Sequence, residues 1–142
     1  MTSDEKRKKA AIGIFERNSD PSRLEGSVWP WDDGTIRASP RLREMQFRDG
    51  ELPILACDQG GDVWVVITSL RTTSTGGWSV DHDHVVAIKP AVMVLGEYDD
   101  PEREALVLLG QGSGQFRFLA GKATLIGVLN ALLYCVRSVK GL

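Results

Sequence analysis

The chain has 142 residues, 42% of them hydrophobic and 25% charged, with a formal net charge of −2 and a pI near 5.7. That length and balance suit a single globular domain over residues 1–142 with its own core, and exclude a disordered or collagen-like chain. The mildly acidic charge predicts neither a nucleic-acid partner nor a membrane partner, and no run approaches the roughly 20 apolar residues of a membrane span.

The N-terminal segment, MTSDEKRKKAAIGIF, has charges but neither a long apolar stretch nor a small-residue cleavage site. It does not read as a secretory signal, and a cytoplasmic location is expected. Thr2 and Glu5 have the spacing of a capping box, and Ala11, Ile14 and Phe15 recur at helical spacing behind them. A helix over 4–17 follows, within an N-terminal unit of residues 1–18. Its basic run Arg7-Lys8-Lys9 reads as a solvated face.

Residues 19–50 are predicted to be irregular. The segment GSVWPWDDG, 26–34, sets Trp29 and Trp31 on either side of Pro30, with Asp32 and Asp33 behind them. Two readings are open: an aromatic ledge with an acidic rim that binds a partner, or two rings that fold over a sheet and close its core. Residues 35–38 could form a short strand, and Ser39-Pro40 has the form of an N-cap and first helical residue.

Residues 51–120 read as an antiparallel sheet. A strand over 51–57 and an Asp58-Gln59-Gly60-Gly61 turn lead into the run DVWVVITSLRTTSTGGWSVDHDHVVAIKP. This run is expected to form the central hairpin, with strands over 63–70 and 78–88 and RTTSTGG as the turn. Both strands are apolar on both faces, which predicts cover on both sides. Trp78, beside Gly76-Gly77, is a further candidate for partner contact. Beyond Pro90, strands are expected over 91–95, 105–109 and 115–119, with an acidic connection over 97–104. In the last strand Phe116 and Phe118 alternate with polar residues. Over 122–138 the period changes: Leu125, Val128, Leu129, Leu132, Leu133 and Val136 form the stripe of a long amphipathic helix. Cys57 and Cys135 fall in apolar runs and read as small buried hydrophobes rather than a disulfide.

The residues most suggestive of chemistry are Asp81-His82-Asp83-His84. On a strand the two histidines would share one face and could hold zinc or copper, but a closed zinc site takes four ligands and no third is set by spacing. No nucleophile elbow, HExxH or Walker lysine is present, and GQGSG precedes a strand where a phosphate loop would open a helix. The residues point to a protein without a catalytic centre or cofactor.

The segments VWVVITSLRTTST, WSVDHDHVVAIKP and GQFRFLAGKATLIGVLNALL resemble the pleckstrin-homology-like (PH-like) domains of bacteria, over about residues 51–138. The resemblance implies an α+β fold: a strongly bent antiparallel sheet or partly open barrel of about seven strands, plugged by the C-terminal helix. Such domains differ widely in ligand, taking lipids, peptides or none known, so the fold does not by itself give a function. LPILACDQGGDVWVV and VDHD are also similar to segments of Smi1/Knr4-type immunity proteins, which implies a toxin as partner. The expectation is a non-enzymatic PH-like binding or scaffolding module acting through a protein partner at Trp29, Trp31, Asp32, Asp33 and Trp78. The alternatives are an immunity protein or a metal-binding protein using His82 and His84.

Overall fold

The structure is a computed structural model that describes residues 1–19, 28–32, 34, 39–90, 103–112, 114–121 and 124–142. The expected strands at 35–38 and 91–95 lie outside these residues.

Helix α1 runs Ser3–Arg17. It starts where the Thr2 hydroxyl accepts a hydrogen bond from the Glu5 N–H at 3.1 Å, satisfying one of the free amides of the first turn. Asp4 and Glu5 near its start and Arg17 near its end complement the helix dipole. It buries Ala11 and Phe15. The basic run does not act as one solvated face. Lys9 is exposed, Lys8 is half-buried, and Arg7 reaches inward to donate to Ser138 Oγ at 2.9 Å and to the Ser69 carbonyl at 3.1 Å.

Five strands form one antiparallel sheet in sequence order: β1 (Val28–Pro30), β2 (Pro53–Gly60), β3 (Val63–Thr68), β4 (Arg71–Ser74) and β5 (Ser79–Asp81). A second sheet holds β6 (Val85–Pro90), β7 (Arg103–Gly110) and β8 (Gly114–Gly121), also antiparallel. The architecture is thus α+β, with two sheets and no closed barrel among the described residues. The central hairpin differs from expectation. RTTS is strand β4, not a turn, because the chain already reverses at Ser69-Leu70. There the Thr68 hydroxyl accepts from the amides of Leu70 and Arg71 at 3.1 and 3.0 Å and donates to the buried Glu51 carboxylate. The expected long strand at 78–88 is broken by a 3₁₀ turn, His82–His84, which passes the chain from one sheet to the other.

The β2–β3 turn places Gly60, Gly61 and Asp62 in succession at φ 87°, 60° and 62°. A non-glycine residue in this region is uncommon, and its carboxylate is held by Ser39 Oγ and Arg41 Nε at 3.2 and 3.1 Å. These bonds tie the turn to the single-turn helix α2 (Pro40–Arg43), which is N-capped by Ser39 as its sequence suggests.

Helix α3 runs Leu125–Lys140 and ends in a left-handed cap at Gly141, φ 77°. It begins later and ends later than the periodicity predicts. Leu125, Val128, Leu132 and Val136 are buried as expected, but Leu129 and Leu133 are only half-buried, while Gly127, Ala131 and Cys135 are buried. Helices α1 and α3 pack on each other and on the inner faces of both sheets. Phe15, Leu55, Val65, Ile67, Leu106, Phe118 and Leu132 belong to this main core. A second cluster joins Trp31, Leu42, Ala56, Trp64 and Val66 beneath α2. Strand β3 therefore feeds both clusters by alternation: Val65 and Ile67 go to one, Trp64 and Val66 to the other. Among the described residues no helix is long and apolar enough to cross a membrane.

Candidate functional site

The residues expected to bind a partner are not brought together. Trp31 is only 9% exposed, its ring meets Phe47 edge-on with centroids 5.8 Å apart, and its amide donates to the Ile54 carbonyl at 2.8 Å. Trp29 is half-buried against Trp64, 5.5 Å away. Both rings serve the second cluster, so of the two readings of this loop the one that closes a core describes Trp31. Asp32 is exposed and opposes the drop in the Lys8 pKa that half-burial causes; Asp33 lies outside the described residues. Trp78 is half-buried on Phe116, with centroids 5.4 Å apart, and packs against the main core instead. Trp78 packs on the main core and Trp29 and Trp31 on the second cluster, and alternation along β3 puts these two clusters on opposite sides of the five-stranded sheet.

His82 and His84 do not share a face. In a 3₁₀ turn successive residues are rotated by about 120°, so an i, i+2 pair diverges where a strand would align it. His82 is fully buried, with Nε2 2.9 Å from Thr72 Oγ1. Its Nδ1 has no hydrogen-bond partner among the described residues. Burial, aided by the Arg7 guanidinium, pushes its pKa down to about 3 against the opposing pull of Asp81. Neutral His82 is thus built into the interior. The same burial pushes the Cys135 thiol up to about 12, which leaves it an inert core thiol. His84 stays outside with Asp81 and Asp83, their ligand atoms within 4.8 Å of one another. Asp81 there accepts from Arg48 Nη2 at 2.8 Å. The guanidinium already neutralises one carboxylate of that group, and its proximity holds Arg48 above its ordinary pKa.

Among the described residues, a surface feature with a shape that can hold something lies on the two helices. One groove, of about 540 Å³, runs between α1 and α3; Ile14, Leu133 and Tyr134 line it with Asn18, Asn130 and Arg137. A second, of about 410 Å³, follows the outer side of α1 past Lys6, Lys9, Ala10, Gly13 and Arg17. Ile14 lines both, so the two adjoin at that side chain. Ile14, Leu133 and Tyr134 each turn one side to the core and leave the other as groove lining. Among the described residues, every charged side chain lining either groove is basic: Lys6, Lys9, Arg17 and Arg137, all exposed. The whole chain, by contrast, carries −2.

Sequence reasoning passed over this site by treating the basic run of α1 as solvent-facing. The signal was present at wider spacing. Lys6, Lys9, Ala10, Gly13 and Arg17 fall at i, i+3, i+4, i+7 and i+11, which puts them on one side of a helix. What the sequence lacks is the other bank, supplied by α3 from more than 110 residues away. Comparison with protein-family models, curated proteins and solved structures found no match to this chain.

Proposed function

We propose that the protein is a non-enzymatic binding module that holds a protein partner against the α1–α3 face. The supporting observation is a pair of adjoining grooves that share Ile14; apolar side chains line both, and among the described residues their charged lining side chains are all basic. Apolar area in a recess supplies affinity once water is displaced, and charges at the rim steer encounter and fix orientation. This moves the expected partner surface from the tryptophan loop to the helices, because Trp31 is used internally.

Site-specific photo-crosslinking in the producing cell tests the reading. A photoreactive amino acid at Lys9 should give a discrete protein adduct, and Ile14→Asp in the same chain should abolish it. The same amino acid at exposed Glu44, beside α2, should not give that adduct. No adduct from Lys9, or the same adduct from both positions, sinks the proposal.

A further inference from the structure

The geometry points to an acidic amphipathic helix as the element that the partner lays into these grooves. This inference rests on the binding reading above and names the chemistry of the partner. The outer groove follows the axis of α1 from Lys6 to Arg17, a distance of about 16 Å at 1.5 Å per residue. Between these cations Ala10 keeps the helix surface low, while the Arg17 guanidinium covers Gly13. Low side chains let a second helix approach at the usual packing distance, and Ile14 then meets its apolar stripe. Arg17 lies back over Gly13, whose Cβ, if present, would stand 3.1 Å from Arg17 Nη1. The guanidinium is thus at the groove wall, where its planar donors can take a carboxylate in two parallel bonds. Arg137 offers the same chemistry from the α3 bank.

Other occupants fit less well. An extended peptide gains its main-chain bonds from a free strand edge, and this face is built of helices. Nucleic acid would use the cations but not the apolar floor, and would meet a chain of net charge −2. A membrane surface engages broad protruding apolar area; of the large apolar lining side chains Met1 and Leu142 protrude, whereas Ile14, Leu133 and Tyr134 are half-buried. A helix carrying Glu or Asp along the flanks of a Leu-type stripe satisfies both floor and rim.

The test is a selection from displayed amphipathic helices, with a constant apolar stripe and a polar face randomised among Glu, Lys, Gln and Ser, against the immobilised full chain. The expected winners are net acidic on the flanks. A synthesised winner should bind the Lys9→Glu/Arg17→Glu variant at least about tenfold more weakly. Exchanging its Glu for Lys should restore binding to that variant. Both substituted positions are exposed, and circular dichroism of the variant checks that its fold is intact. No enrichment, neutral or basic winners, or winners indifferent to the double variant would overturn the acidic-helix proposal. If the Lys9 adduct persists in those cases, the broader binding reading survives. Co-sedimentation of the wild type, but not the double variant, with phosphatidylserine vesicles in the absence of an enriched helix would reassign the face to lipid.

Discussion

The side-chain amide of Gln59 on β2 pairs with the backbone of Leu119 on β8 as another strand would: Leu119 N–H donates to Oε1 at 2.7 Å, and Nε2 donates to the Leu119 carbonyl at 2.9 Å. The five-stranded and three-stranded sheets are separate ladders, and this one side chain joins them at the seam. Gln59→Ala leaves both backbone groups of a half-buried residue without their partner. A loss of about 1–3 kcal/mol follows, with faster hydrogen exchange at the Leu119 amide. An unchanged denaturation midpoint and unchanged exchange would show that the seam is held by packing alone.

Buried His82 makes stability depend on pH. Its folded-state pKa, about 3, lies below the ordinary 6.5. Below pH 6.5 the unfolded chain takes up a proton that the folded chain refuses, so stability falls as pH drops and the fall levels off near 3. The slope is about 1.4 kcal/mol per pH unit, or about 2 kcal/mol lost between pH 6.5 and pH 5. His82→Gln keeps a hydrogen-bonding group near Thr72 but does not titrate. Urea titrations at several pH values should show this slope in the wild type and its absence in the variant; parallel curves would contradict the assignment.

Gly127 lies where α3 crosses α1. A Cβ there would stand 2.7 Å from the Phe15 carbonyl oxygen and 2.2 Å from Ser19 Oγ. In an exposed helix interior, glycine to alanine gains roughly 1 kcal/mol. Here the sign should reverse, because the carbonyl cannot retreat without parting the two helices; overpacking of this kind costs about 1–3 kcal/mol. Thermal denaturation of Gly127→Ala checks the sign, and a raised melting temperature would mean that the helices sit farther apart than described.

Trp31 distinguishes a structural loop from an exposed ledge. Its ring is packed on Phe47, and that segment is pinned by Glu51, which accepts from Arg48 N at 2.9 Å and from Arg71 Nε at 2.9 Å. Trp31→Ala should cost about 3–5 kcal/mol and lower the melting temperature by several degrees. A nearly unchanged melting temperature, with iodide quenching much of the wild-type tryptophan fluorescence, would return the ring to the surface.

Local signals were legible where the local backbone decides the outcome. Thr2 and Ser39 cap their helices where expected, and the glycines after Asp58 serve the β2–β3 reversal, although β2 runs on through Gly60 and the turn itself falls at Gly61-Asp62. The two-sided apolar character of β3 likewise follows from alternation, and both of its faces are covered. Signals failed where a distant partner arbitrates. RTTS has strand propensity and turn composition at once, and becomes β4 because Thr68 and Glu51 close the reversal earlier. The histidines align only if the backbone stays extended, and a 3₁₀ turn at the passage between sheets sends them apart.

By itself the sequence determined the α+β class, the helix at each end, the antiparallel strands between them and the inert character of the two thiols. Each rests on a period, a cap or a composition that acts over one element. The tertiary structure alone decided that there are two sheets, that Gln59 joins them, that Trp31 is core and that His82 is interior. It also decided that Lys6, Lys9 and Arg17 on α1 share a groove system with Arg137 on α3. The reason is physical: a periodic pattern shows which face of an element is apolar or charged, whereas what faces it depends on how segments far apart in the chain pack together.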